Sequence, residues 1–437
     1  MAGLKKRIKR LFWILPIPAK VKEKMRLKYA TMKEKSEAEN ADIVIKESVD
    51  KDEYIKHVLS TPEQRSEFYK EFETHSEIKT DKYLLAYYLT QFHPNPENDL
   101  WWGRGTTEWN NVSKAVPQFA GHYQPRLPGE LGYYDLRIEE NMQRQIELAK
   151  NYGVNAFCFY YYWFDGKRLL ERPLNLFLQN QAMDIDFCVC WANENWTKRF
   201  SGTNTDVLMK VGDTAESCIN FIYDILDVMS DERYFCINGC PVLVIYRPAL
   251  IVDTKEVLKE WRKIVKEKIG KDIYIIAVQE KGDTHNWVSD GYDAETEFQP
   301  KRINNVAKDI TNDVNTIRKD FDGTVYDYEE LVNQKQYVIK SNVDKKVYPA
   351  VMPMWDNTAR RNHKALIYHG STPLLYKKWL INTINQVEHN KNLDKKMIFI
   401  NAWNEWGEGA YLEPDRKYGY AYLQATYEAL QESEADE

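Results

Sequence analysis

From residue 82 onward, short apolar runs rich in β-branched and aromatic residues alternate with longer segments of helical periodicity. Eight runs read as strands: 83–89, 154–160, 185–191, 241–246, 273–278, 292–298, 347–352 and 397–402. Amphipathic stretches at 137–152, 215–230, 255–268 and 374–389 read as helices, and Gly153 and Gly270 stand where two of them should stop. Near-continuous apolar strands are those of a parallel sheet covered on both faces, and eight strand-and-helix repeats predict a closed (β/α)8 barrel over residues 81–430. A doubly wound open sheet is the competing architecture. Against it, the first strand leads into Gln91, Phe92, His93 and Pro94 and not into a glycine-rich phosphate loop. The long irregular connections at 93–133, 193–214 and 299–325 all follow a strand, which gathers them on the face where barrels build their chemistry.

The segment before the barrel has another character. Residues 1–35 carry twelve basic side chains against Glu23 and Glu34, a net +10 that leaves −16 for the rest of a chain whose total is −6. An apolar cluster around Phe12 and Trp13 is set among those cations. It is too short to cross a bilayer and is cut off by Pro16 and Pro18, so the expectation is an interfacial anchor on an anionic membrane surface, or a solvated basic tail. No secretory leader is recognisable, and a cytoplasmic protein, peripheral to the inner face of the plasma membrane, is expected. Residues 36–80 read as polar helices forming a linker, and 431–437 as an acidic tail. The acidic body argues against nucleic-acid binding.

Composition changes the picture at two points. Six cysteines, three of them (Cys158, Cys188, Cys190) inside strand-like runs, fit reduced, buried thiols and not a disulfide framework. The chain has 29 Tyr and 13 Trp against 16 Phe, favouring rings with a polar handle, which can stack on the apolar face of a sugar.

The candidate chemistry sits at strand ends. After the eighth strand comes Asn401-Ala402-Trp403-Asn404-Glu405-Trp406-Gly407-Glu408-Gly409, with two carboxylates three residues apart and two glycines that permit a sharp turn. A pair with one carboxyl protonated and one ionised is what cleavage of a glycosidic bond requires, so Glu405 and Glu408 are the candidate catalytic pair. A surface turn with a helix-start Glu would have the same spacing. The third strand ends in a related cluster, Trp191, Asn193, Glu194 and Trp196; Trp355 and Asp356 follow the seventh, and Glu297 ends the sixth. Tyr88, Gln91, His93, Trp109, His122 and Tyr123 follow the first, and Trp163 the second. With Trp403, Asn404 and Trp406, these are the candidate substrate contacts. His93 and His122 lack companions at metal-ligand spacing, so sugar hydroxyls and not a metal are the expected partners, and no cofactor is implied.

The runs at 88–94, 101–109, 121–125, 190–196 and 401–409 resemble the WbsX group, a glycoside hydrolase family 99-like domain found with bacterial surface polysaccharide genes, and the resemblance covers about residues 82–425. It implies a (β/α)8 barrel and a polysaccharide or oligosaccharide substrate. Family 99 enzymes are retaining endo-α-mannosidases with a Glu-Trp-His-Glu run. By that resemblance Glu405 takes the proton of the sugar 2-hydroxyl as a 1,2-anhydro sugar forms, and Glu408 is the general acid. This chain has Gly407 where those enzymes have His. A membrane-associated glycosyltransferase of O-antigen or capsular polysaccharide biosynthesis, and a non-catalytic glycan-binding protein, are the alternative readings.

Overall fold

The computed structural model describes residues 45–60, 64–197, 207–282, 284–304, 306–339, 342 and 345–435. The basic segment 1–35 lies outside them. All eight predicted runs are strands: β1 Tyr83–Tyr88, β2 Ala156–Phe164, β3 Asp186–Trp191, β4 Cys240–Ile245, β5 Tyr274–Val278, β6 Ala294–Thr296, β7 in two pieces, Val347–Tyr348 and Ala350–Val351, and β8 Met397–Ile400. Adjacent strands pair in parallel in chain order, and β1 pairs with β8. Pro349, which has no N–H to give, divides β7: its first piece pairs with β6 and its second with β8, closing the ring.

Side chains alternate across this wall. On β2, Phe157, Phe159, Tyr161 and Trp163 meet outer-layer partners such as Trp403, Phe177 and Phe221. Tyr160 and Tyr162 face inward. The interior holds rings: Tyr87 lies 5.4 Å from Phe399, 5.0 Å from Phe298 and 5.8 Å from Tyr160. The alternation also buries Cys158, Cys188 and Cys190 as free thiols.

The outer helices are α1 Glu139–Asn151, α2 Arg172–Gln179, α3 Ala215–Met229, α4 Thr254–Ile269, α5 Tyr328–Asn333, α6 Pro373–His389 and α7 Ala421–Ala435. Gly270 stops α4 with φ +74°, and Gly153, φ +83°, follows α1. The fifth repeat has a single 3-10 turn, Trp287–Asp290, with Trp287 buried in place of a helix.

Two expectations are corrected. Within 36–80 the described residues hold one helix, Lys51–Ser60, and the stretch from 64 runs irregularly along α7: Lys70 bridges to Gly419, His75 bonds Gln424, and Thr80 bonds Glu434. That stretch is too polar to bury a helical stripe of its own and uses the barrel's surface instead. At the other end, α7 continues to Ala435, through the segment expected as a tail. A small sheet of Thr324–Asp327, Leu366–His369 and Trp355–Asp356, unforeseen in the sequence, caps one side of the rim. Among the described residues no helix is long and apolar enough to cross a membrane.

Candidate active site

Past β8 the chain makes a two-residue strand, Asn404–Glu405, a 3-10 turn, Trp406–Glu408, and a return strand, Ala410–Tyr411, with Gly409 at φ +58°. Asn404 anchors this hairpin. Its side-chain amide accepts from the Leu89 N–H at 2.7 Å and donates to the Leu89 carbonyl at 3.0 Å, continuing the β1–β8 ladder beyond the last backbone pair. Asn193 does the same between the ends of β3 and β4, with the backbone N–H and carbonyl of Arg247 at 2.8 and 2.9 Å.

Glu405 and Glu408 thereby converge on one guanidinium. Arg360, on the rim helix Thr358–Arg361, places one terminal nitrogen 2.9 Å from Glu405 and the other 3.3 Å from Glu408, while its Nε lies 2.8 Å from Glu108. The Glu405 side chain is 8% exposed and that of Glu408 28% exposed, so Glu408 is the more open to the mouth. Burial raises both carboxyls above their ordinary range, Arg360 pulls against it, and the neighbouring carboxylates add to it.

An aromatic wall faces them. Tyr162 donates to Gln91 at 3.1 Å and feels the charge of Glu405; Trp196 stands 5.2 Å from the Tyr162 ring and 6.0 Å from Trp101. Tyr160 and Tyr246, both half-buried, lie 5.7 Å apart, and Lys301 sits 3.5 Å above the Tyr246 ring. Glu194 is half-exposed near Arg247, whose Nε lies 3.0 Å from Glu280. The rim thus presents Glu405, Glu408, Gln91, Glu194 and Trp196 from the sequence reading, joined by Tyr160, Tyr162, Tyr246, Arg360 and Glu108.

The other candidates sit elsewhere. Trp163 and Trp191 point outward and pack on Phe221 of α3, with Trp191 stacked at 3.9 Å. Tyr88 also points outward, giving its hydroxyl to Gln145 of α1 at 2.6 Å. Trp403 is fully buried against Phe157. Trp406 stacks on Tyr411 at 3.7 Å, has Trp109 beside it, and donates to Glu413 at 2.6 Å. These rings support the rim from behind.

His93 is buried with Nδ1 2.8 Å from the Thr90 carbonyl, and burial pushes its pKa down to about 4. His122 accepts the Gln118 N–H at Nδ1, 3.0 Å away, and so carries its proton on Nε2, 2.7 Å from Asp356. Asp356 also accepts from Gln124 at 2.7 Å and from Thr358 at 2.5 Å, with Trp355 buried next to it. Although burial opposes it, His122, Arg126 and Thr358 hold Asp356 well below the usual carboxylate range. Tyr123 donates to Asp415 at 3.1 Å. Glu297 lies on the outer side of β6, bonded by Asn342 at 2.8 Å. Among the described residues no group of three or more His, Cys, Asp or Glu side chains is arranged to hold a metal ion.

Fold and rim together define a class: an eight-stranded parallel barrel with a clustered carboxylate centre and aromatic walls at the strand C-termini. The model of the glycosyltransferase WbsX family matches residues 84–426, and the chain belongs to that family. It is 42% identical over 349 residues to the uncharacterized protein WxcX of Xanthomonas campestris pv. campestris strain B100, and equally so to that of strain ATCC 33913. The match takes in 79% of this chain and 49% of the relative, so the chain spans about half the length of the curated relatives it matches. A solved glycoside hydrolase-like protein shares the fold, with a TM-score of 0.53 at 16% identity over 83% of this chain and 98% of that one. The family 99 endo-α-mannosidase of Bacteroides thetaiotaomicron has a TM-score of 0.49 at 16% identity, over 82% of this chain and 99% of that one.

Proposed function

We propose that this protein is a carbohydrate-active enzyme that makes or breaks glycosidic bonds of a polysaccharide or oligosaccharide, with Glu405 and Glu408 as its working pair. The observation that carries the reading is their convergence on the terminal nitrogens of Arg360 beside an aromatic wall, with Glu408 the more exposed of the two. Glu408, the more exposed, gives its proton to the leaving glycosidic oxygen as the C1–O bond breaks. Glu405 takes the proton of the 2-hydroxyl as that oxygen closes on C1, and an incoming hydroxyl, its proton passing to Glu408, then reopens the ring and returns the Glu405 proton to O2. A raised carboxyl suits Glu408 as the acid, since a group that must hold a proton near neutrality cannot have an ordinary carboxylate pKa, while the charge of Arg360, which opposes the effect of burial on Glu405, favours the anion needed of the base. Tyr160, Tyr162, Tyr246 and Trp196 supply planes for sugar rings, and Gln91 and Glu194 polar contacts.

The incoming hydroxyl decides between hydrolase and transferase. The description of the family favours transfer to a second sugar. The test is incubation with labelled nucleotide sugars plus acceptor glycan, set beside glycan plus water alone. Labelled glycan marks a transferase and new reducing ends mark a hydrolase. Neither product, despite glycan binding that survives removal of both carboxylates, would refute the enzymatic reading.

A further inference from the structure

Position 407 is where this chain departs from the Glu-Trp-His-Glu run. A Cβ added to Gly407 would lie 1.9 Å from Glu108 Oε1 and 2.7 Å from Arg360 Nε. The space a side chain would need is already filled by that ion pair. Its backbone lies outside the left-handed region, so the requirement for glycine here is one of volume and not of dihedral freedom.

We infer that Glu108 and Arg360 are positioning residues of the centre: Arg360 holds Glu405 and Glu408 together on its two terminal nitrogens, and Glu108, seated in the space Gly407 leaves, holds and neutralises Arg360. The guanidinium is planar and presents its donors in a fixed fork, so three carboxylates on three different nitrogens have their directions set by one rigid group. Glu108 is bound by Arg360 Nε at 2.8 Å, and its side chain is 0% exposed, the least accessible of the three. The rim helices Trp109–Ser113, which Glu108 immediately precedes, and Thr358–Arg361, which carries Arg360, pack on the Trp406–Glu408 turn.

Charge explains why a third carboxylate belongs here. Arg360 facing only Glu405 and Glu408 would favour both as anions, leaving no proton for a leaving group. Glu108 takes up that charge. Among the described residues, Arg361 faces Glu408, Tyr162 faces Glu405, Tyr246 faces Glu408, and Lys114 faces Glu108.

This inference rests on the reading of Glu405 and Glu408 as the working pair, and its test separates the two. Infrared pH titration of the full chain follows the carboxylic-acid band, assigned to the pair by its loss in Glu405→Gln and Glu408→Gln. In Glu108→Gln, and in Gly407→Ala where the methyl displaces Glu108, the pair should lose its proton at least one pH unit lower than in the parent, because Arg360 is no longer neutralised. Arg360→Lys, which keeps a charge but loses the fork, should broaden the two-carboxyl titration and separate its steps. A titration unmoved in Glu108→Gln overturns the inference, even if that variant is less heat-stable. Full turnover in Glu405→Gln and Glu408→Gln would instead overturn the reading of the pair, whatever the titration shows.

Discussion

Two carboxylates away from the rim show how strongly this barrel biases proton binding. Glu297 and Glu413 are buried, and burial lifts each to about 7 from the ordinary 4.5, although Asn342 bonds the first and Trp406, Gln145 and Tyr134 the second. Between pH 4.5 and 7 the native state therefore holds protons that the unfolded chain has released. Their contribution to stability is complete below the unfolded value and disappears as pH rises through the folded one, a loss on the order of 3 kcal/mol for each. Denaturant unfolding of the parent is expected to show stability falling from pH 5 toward pH 8. Glu297→Gln, neutral throughout, should show a shallower fall. An equal slope in variant and parent would contradict the assignment.

At the scale of elements, the rim is held by side chains that imitate backbone. Asn193 and Asn404 each offer one donor and one acceptor to a strand end that has run out of partners, and both are almost completely buried. Replacing either by Ala orphans a buried N–H and a buried carbonyl, which costs about 3 kcal/mol. Asn404→Asp, nearly isosteric, should be at least as damaging, because a carboxylate oxygen would then face the Leu89 carbonyl. Thermal melts check both, and a tolerated Asn404→Asp would show that the ladder does not depend on this residue.

The strands themselves were legible in the sequence because apolar runs, turn residues and helical periods agreed. What was less legible was which way each ring points. Their place at strand ends predicts Trp163 and Trp191 as substrate contacts, yet period-two alternation puts them on the outer face with Phe157, Phe159 and Tyr161, while Tyr160 and Tyr162 face the mouth. That signal was present in Phe159-Tyr160-Tyr161-Tyr162-Trp163, because the parity of one inward residue fixes the rest. Glu413 and the Glu108–Arg360 pair left no such signal. Their partners come from segments up to 279 residues away for Glu413 and 252 for Glu108, and only the closed ring brings those together.

For the whole molecule, the asymmetry of charge is the feature the barrel does not explain. A net +10 within 35 residues, with Phe12 and Trp13 among the cations, is expected to bind vesicles containing anionic lipid and to release them as salt rises. Co-sedimentation of the full chain and of a chain lacking residues 1–35 checks this. Equal binding by both, or equal absence of it, would remove the membrane from the account.

The proposed glycosidic-bond chemistry in this barrel rests on two carboxylates held by one guanidinium. The most direct measurement is turnover of the glycan, by hydrolysis or transfer, in Glu405→Gln and Glu408→Gln beside the parent, with folding verified for each. Each variant is expected to lose on the order of a hundredfold or more in rate while still binding glycan. Parent-level turnover in both would contradict this chemistry.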